Sequence, residues 1–204
     1  MNILHIDSSA LGDASVSRQL TAGIVAQLRQ GNPAATVTYR DLAVSPPDHL
    51  SGELMQVVKF QNVDGLTARQ QQELALTNQL VEELLAADVM VIGAPMYNFS
   101  VPTQLKAWID RIAQPGRTFR YTATGPEGLA GGRKVIIAST RGGLYAGTAY
   151  ETAMDHQEAF LKAVLGFIGI SDVQVIRAEG VAMGPEARDK ALAAARGEIV
   201  KLAV

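Results

Sequence analysis

The chain has 204 residues, 48% of them hydrophobic, which is enough to bury the core of one α/β domain. Its formal net charge is −2, and both signs are scattered along the chain, so no basic block is present to bind a nucleic-acid backbone. The sequence contains no cysteine, which excludes disulfides, thiolate nucleophiles and cysteine-bound metals, so redox chemistry would need a bound cofactor.

Targeting and metal signals are missing from the sequence. The first residues, MNILHID, have no cationic lead before an apolar stretch, and no window is apolar for long enough to span a membrane. The three histidines, His5, His49 and His156, have no metal-binding spacing. We therefore expect one cytoplasmic domain over residues 1–204, with no membrane, nucleic-acid or metal partner.

Short β-branched segments alternate with longer amphipathic segments, a pattern typical of a parallel sheet covered by helices on both faces. Five strands are predicted, at residues 2–7, 36–40, 88–94, 133–139 and 172–179. The third and fourth are the most continuously apolar, as central strands should be. The expected fold is a flavodoxin-like three-layer α/β/α domain with a five-stranded parallel sheet in the order 2-1-3-4-5.

Five helices are predicted from apolar residues at helical spacing and from capping signals. The first follows Ser15, the second begins with a capping box at Thr67 and Gln70, and the third contains Trp108. The fourth ends near residue 166 and the fifth follows Pro185. Two connections, 41–66 and 113–132, are longer than a βαβ turn requires, which is typical of functional or interfacial segments.

The segment after the first strand, residues 7–18, is rich in hydroxyls and leads into a helix. Hydroxyls together with the open N–H groups of a helix start favour an anion, although a helix cap with solvated serines is the simpler alternative. The segment has neither G-x-x-x-x-G-K-[ST] nor G-x-G-x-x-G, which disfavours an ATPase or a dinucleotide-binding Rossmann domain. A bound monophosphate such as FMN fits better. Arg18 is expected to be a solvated residue of the first helical turn.

Two further segments are predicted at the same edge of the sheet, where ligands of doubly wound folds bind. Residues 93–102 present a thioether, two aromatic rings and an amide between two prolines, which suits a flat polar heterocycle, although the aromatics could instead pack inward. Residues 139–143 end in paired glycines that permit close backbone approach to a ligand. By itself that last signal indicates only a turn.

Several of these segments resemble the FMN-dependent NADH-azoreductase family over nearly the whole chain. The motifs are A-P-M-Y-N-F followed by P-T-Q-L-K-A-W-I-D, then T-F-R-Y-T, G-P-E-G-L, T-R-G-G and L-G-F-I-G-I. The resemblance implies a homodimer with two active sites at the subunit interface. It also implies bound FMN, NADH as donor, and flat azo compounds or quinones as acceptors.

The resemblance assigns the cofactor-binding residues. The FMN phosphate would be held by Ser9, Ser15, Val16 and Ser17, partly through backbone N–H groups. The ring would lie on Pro95, Met96, Tyr97, Asn98 and Phe99, and its pyrimidine side would meet Thr140, Arg141, Gly142 and Gly143. The long connections would cover the flavin of the neighbouring subunit, with Phe60, Phe119 and Tyr121 as candidates for stacking on substrates, or for ordinary interface packing.

In this mechanism the flavin carries the chemistry, so no catalytic side chain is assigned and ping-pong kinetics are expected. NADPH stays open as a donor, because Lys59, Arg117 or Arg120 could meet a 2′-phosphate. The main alternative is a flavodoxin-type electron carrier that docks on protein partners. A hydrolase with Ser9 or Ser17 as nucleophile lacks a base at a recognisable spacing.

Overall fold

The computed structural model describes residues 1–60 and 63–202. Residues 61 and 62, in the first long connection, and the last two residues of the predicted domain lie outside the described residues. The strands are β1 Asn2–Asp7, β2 Thr36–Asp41, β3 Val89–Pro95, β4 Phe119–Thr122, β5 Gly125–Gly128, β6 Lys134–Thr140 and β7 Asp172–Ala178. The helices are α1 Val16–Gly31, α2 Gly52–Val58, α3 Ala68–Ala86, α4 Thr103–Ile112, α5 Tyr150–Met154, α6 Gln157–Phe167 and α7 Pro185–Ile199.

The central sheet has five parallel strands in the order β2-β1-β3-β6-β7. The predicted flavodoxin-like α/β fold is therefore correct, but the stated order 2-1-3-4-5 does not match the numbering of the chain. Two short strands, β4 and β5, form a separate antiparallel hairpin inside the second long connection. The hairpin packs closely against the segment after α6. A Cβ on Gly128 would lie 2.1 Å from the backbone of Gly169, so this contact requires a glycine.

The sheet separates two apolar cores, as its alternating side chains require. On one face Leu4 and Ile6 of β1 pack with buried residues of α3, α4 and α6, among them Trp108. On the other face Ile3 packs with α1 and α7. All seven residues of β3 are buried, which accounts for the uninterrupted apolar sequence of this central strand.

The predicted helices are present as α1, α3, α4, α6 and α7. The capping box of Thr67 and Gln70 forms as predicted, and Ser15 caps α1. The helices α2 and α5 were not predicted, because they have only seven and five residues. Among the helices of residues 1–60 and 63–202, none is both long and apolar enough to cross a membrane.

Candidate functional site

A cleft of about 270 Å³ lies at the carboxyl edge of the sheet, where the segments after β1, β3 and β6 meet. Nine of the predicted cofactor-binding residues line it, namely Ser9, Ser15, Val16, Pro95, Met96, Tyr97, Thr140, Arg141 and Gly142. A larger surface depression of about 380 Å³ lies around Asn2 and Ala87, at the opposite end of the strands. Ligands of doubly wound folds bind at the carboxyl edge, so the smaller cleft is the candidate site.

The start of α1 forms one end of the cleft. The Ser15 side chain accepts a hydrogen bond from the backbone N–H of Arg18 and lies 3.0 Å from the hydroxyl of Ser17. The first N–H groups of a helix have no partner in the preceding turn, so those of Val16 and Ser17 are donors for a ligand. Ser17 is buried behind this surface and does not line the cleft. The structure therefore brings hydroxyls and a helix start together where the sequence predicts an anion site.

The residues after β3 form a tight two-residue turn. The backbones of Tyr97 and Ser100 bond to each other in both directions, at 2.9 and 3.1 Å. Between them Asn98 and Phe99 have positive φ angles of 48° and 70°. Such a turn requires this conformation, and a phenylalanine in it is strained, which is typical of functional loops. Both central side chains are exposed beyond the rim of the cleft.

Backbone hydrogen bonds connect this turn to the other loops. Met96 N–H donates to the carbonyl of Thr140, and His156 N–H donates to the carbonyl of Phe99. The Tyr97 hydroxyl lies 3.1 Å from the Ser9 hydroxyl and accepts from the backbone N–H of Ala10. The loops are thus joined to one another as well as to the sheet, which keeps the cleft preorganised.

The residues after β6 form backbone hydrogen bonds with the residues after β7. Arg141 and Gly142 accept backbone bonds from Val181 and Ala182, while Gly143 accepts one from Gly180. Gly143 lies beyond the residues that line the cleft. A Cβ on Gly142 would come within 3.3 Å of Ala182, a tight contact that favours glycine there.

The Arg141 side chain is fully buried and is held by carboxylates. Its guanidinium lies 2.6 Å from Asp155, 2.7 Å from Glu158 and 2.8 Å from Glu179. Three carboxylates occupy the donors that a ligand would need. Arg141 therefore offers the cleft its backbone and anchors the loop with its side chain.

Glu158 connects this network to Arg177, which donates two bonds of 2.7 Å to its carboxylate. Burial raises the pKa of Glu158, but Arg177 and Arg141 outweigh it and hold that pKa below its ordinary value. Bonding to Glu158 also raises the pKa of Arg177. The loop after β6 therefore rests on a network of ion pairs in which Glu158 is held in its charged form.

A second buried polar cluster lies behind β1. Asp7 accepts bonds from Thr21 and Tyr39, and Arg18 donates to Tyr39 and to Asp41. Burial acts to raise the pKa of Asp41, but the bond and charge of Arg18, together with the backbone N–H groups of Ala43 and Val44, outweigh it and lower that pKa. The prediction of a solvated Arg18 is wrong: 19% of its side chain is exposed, and its partners direct it to β2, away from the cleft.

The predicted substrate-lining aromatics occupy different environments. Phe60 and Tyr121 are 68% and 74% exposed, whereas Phe119 is 7% exposed. The ring of Phe119 packs against Phe167 and Tyr121, with ring centroids 4.6 and 5.5 Å apart. Phe119 is thus largely covered within its own chain, where its ring packs the β4–β5 hairpin against α6. None of the three lines the cleft of its own chain.

The cations considered for a 2′-phosphate are each engaged elsewhere. Lys59 donates to the carbonyls of Asp110 and Ala113 at the end of α4, and burial lowers its pKa. Arg117 donates to Asn78, and Arg120 donates to Glu127.

Comparison with known proteins identifies the family. A family described as Flavodoxin-like fold matches residues 1–203. The FMN-dependent NADH:quinone oxidoreductase of Azospirillum brasilense is 76% identical over 204 residues, which cover 100% of this chain and 98% of that protein. The protein of the same name from Ralstonia nicotianae is 61% identical and covers 96% of this chain and 93% of its own. The chain belongs to the FMN-dependent NADH:quinone oxidoreductase family.

The family resemblance inferred from the motifs is confirmed by this relationship. An FMN-dependent NADH-azoreductase from Bacillus anthracis, solved in complex with FMN, is 25% identical, with a TM-score of 0.88 and complete coverage of both chains. The fold of this member of the quinone oxidoreductase family therefore matches that of an azoreductase at low sequence identity.

Five cleft residues of this family member escaped the sequence analysis, namely Leu11, Ala14, Val181, Ala182 and Arg188. Leu11 and Ala14 are apolar members of the serine-rich segment and carry no hydroxyl that would indicate a ligand contact. Val181 and Ala182 follow β7 and reach the cleft only through their pairing with the loop after β6. Arg188 lies on α7 and carries no motif that would connect it with residues 174 positions earlier.

Proposed function

We propose that the chain is an FMN-dependent NADH:quinone oxidoreductase that also reduces azo compounds. The observation that carries this proposal is the convergence of three loops on one cleft, with a helix start and hydroxyls at one end and a thioether and an aromatic ring beside it. A phosphate would bind the helix start and the hydroxyls, and a flat heterocycle would lie against the thioether and the aromatic ring. The names of the relatives support the same cofactor, donor and acceptor.

The residues of the cleft fit FMN. Its single phosphate matches the N–H groups of Val16 and Ser17 with the hydroxyls of Ser9 and Ser15, and no second phosphate motif that FAD would use occurs in the sequence. The ring would rest against Pro95, Met96, Tyr97, Asn98 and Phe99, and its polar edge would meet the backbone of Thr140, Arg141, Gly142 and Gly143. This assignment keeps the cofactor-binding residues implied by the resemblance and limits Arg141 to a backbone contact.

When bound, FMN supplies the redox chemistry by taking a hydride from the nicotinamide and passing electrons to the acceptor. The chain positions the reactants and excludes water, and no side-chain acid or base is required. Donor and acceptor would use the same open side of the cleft, so one must leave before the other enters. We therefore propose ping-pong kinetics, with water or the flavin supplying protons for the azo nitrogens.

The proposal includes a homodimer in which the long connections cover the neighbouring flavin. Phe60 and Tyr121 remain the substrate-lining candidates, because both rings are exposed on segments of those connections. The proposal also treats residues 1–204 as one domain, located in the cytoplasm where NADH is regenerated. No specific observation favours the flavodoxin-type electron carrier.

The decisive experiment is the visible spectrum of the purified protein, recorded before and after NADH is added without oxygen. We expect a flavin spectrum that NADH bleaches and a small quinone restores, with FMN identified after release. Initial rates at several quinone concentrations should give parallel double-reciprocal lines. Recovery of FAD, or an inability to bind any flavin on reconstitution, would refute the cofactor assignment, and bleaching that a quinone cannot reverse would refute the activity.

A further inference from the structure

Arg188 reaches the phosphate end of the cleft from a distant part of the chain. It lies in the first turns of α7 and lines the cleft together with Ser15 and Val16. Its Nη2 donates to the carbonyl oxygen of Ala14 at 3.5 Å, next to the Ser15 cap of α1. A guanidinium is thus held beside the N–H groups that open the helix.

The charged side chains of the cleft differ in whether they have ion-pair partners. The side chains that line it include two cations, Arg141 and Arg188, and no carboxylate. Arg141 is compensated by Asp155, Glu158 and Glu179. Within the described part of the chain Arg188 forms no ion pair, since its only side-chain partner there is the Ala14 carbonyl. Arg188 therefore supplies the uncompensated positive charge of the cleft.

We propose that Arg188 binds the phosphate of FMN and determines how strongly this chain discriminates FMN from riboflavin. The inference rests on the proposed function, because it assumes that FMN is the cofactor. Hydroxyls and backbone N–H groups are neutral, whereas the phosphate is close to a dianion at neutral pH and is stabilised by a cation in a half-buried site. The guanidinium also presents several donors in one plane, which suits phosphate oxygens. A small rotation away from the weak 3.5 Å contact would free those donors.

The test compares FMN with riboflavin, which lacks the phosphate. Arg188→Met should weaken FMN binding roughly tenfold, the effect of losing one charged hydrogen-bonding partner, and leave riboflavin binding unchanged. The FMN dissociation constant of the variant should also depend less on salt than that of the wild type. Flavin fluorescence during rebinding to the stripped full-length chain measures both ligands.

Two control variants accompany this substitution. Lys190→Met removes the same charge from the same helix, at an exposed position that does not line the cleft, and should leave FMN binding unchanged. Arg188→Lys keeps the charge and should retain most of the affinity. Equal weakening by Lys190→Met would show that net charge, and not contact, is responsible, and would overturn the proposal.

Other outcomes separate the alternatives. Unchanged FMN affinity in Arg188→Met, or an equal loss of riboflavin and FMN affinity, would overturn the role of Arg188. A raised KM for NADH with unchanged FMN affinity would assign the guanidinium to the dinucleotide, again against the proposal. A wild-type chain that binds neither flavin would instead refute the proposed function, and the inference with it.

Discussion

At the residue scale, Phe99 has a backbone conformation that residues with a side chain disfavour. Its φ of 70° lies in the left-handed region, where a side chain costs about 1 kcal/mol or more relative to glycine. The turn is kept in place by the bond from His156 and by the pairing of Tyr97 with Ser100. Placing an aromatic ring there is consistent with a ligand contact that a glycine could not provide.

The first prediction compares Phe99→Gly with Phe99→Ala. Both remove the ring, but only glycine relieves the backbone, so Phe99→Gly should be more stable than Phe99→Ala by about 1 kcal/mol. Urea unfolding measures the difference. Both variants should bind FMN more weakly than the wild type to a similar extent. Equal stabilities would show that the turn relaxes without cost.

The second prediction concerns Ser17, which is 1% exposed and bonds to Ser15. Ser17→Ala should weaken FMN binding by only about 0.5–1.5 kcal/mol, because the backbone donors remain. Ser17→Asp should weaken it far more, because a buried carboxylate directly behind the Ser15 hydroxyl would repel the phosphate. Riboflavin titration provides the control, since repulsion acts only on the phosphate. Equal FMN affinities of the two variants would mean that Ser17 serves only as part of the helix start.

At the scale of elements, α6 and the ends of β6 and β7 are connected by ion pairs that Glu158 organises. Glu158 is 3% exposed and belongs to the first turn of α6, where a carboxylate also favours the helix dipole. Arg141 has two further carboxylate partners, and Arg177 is partly exposed. Removing Glu158 would therefore leave neither cation wholly without stabilisation.

The third prediction is that Glu158→Gln lowers the free energy of unfolding by about 2 kcal/mol at pH 7, less than the loss of an isolated buried partner. The folded-state pKa of Glu158 lies below 4.5, so the stability from its charge is present above that pH and lost as the pH falls through the lowered pKa. The difference between wild type and variant should therefore shrink below about pH 4.5. Denaturant unfolding at a series of pH values measures it.

Glu198→Gln is the matched control, because this residue is exposed on α7 and forms no ion pair among the described residues. It should change stability by less than about 0.5 kcal/mol at any of these pH values. A difference between wild type and Glu158→Gln that stays constant down to pH 3 would contradict the assignment of the charge to this network.

At the scale of the whole molecule, the two cores lie on opposite faces of one sheet, and β3 and β6 contribute alternate residues to each of them. The fourth prediction is that they unfold together. Far-ultraviolet circular dichroism reports the helices of both faces, while the single tryptophan, Trp108, reports one core. The two thermal transitions should coincide. A separate, earlier loss of helical signal would show that α1 and α7 form an independent unit.

The fifth prediction tests the shared active site of a dimer. One variant carries Ser17→Asp, which removes flavin binding, and the other carries Phe60→Ala with Tyr121→Ala, which removes the exposed aromatics. After subunit exchange, a mixed dimer would join the intact flavin site of one subunit to the intact aromatics of the other. Quinone reduction should then exceed the sum of the separately measured rates. Additive rates despite exchange verified by mass spectrometry would place both rings beside their own flavin.

Local sequence was sufficient to predict the alternation of strands and helices, the Thr67 capping box and, through its motifs, the family. Each follows from neighbours in the chain, because periodicity and capping act over a few residues. The β4–β5 hairpin depended on contact between Gly128 and Gly169, which the sequence does not place together.

The partners of the charged side chains were likewise not predictable from the sequence. In the sequence, Arg18 and Arg141 belong to predicted loop segments and Arg188 belongs to the last helix. In the folded chain, Arg18 bonds to Asp41, Arg141 is enclosed by carboxylates, and Arg188 bonds to Ala14. A long cation takes its role from whichever partners the packed fold brings within a few ångströms, so only the tertiary structure decided which charge faces the cleft.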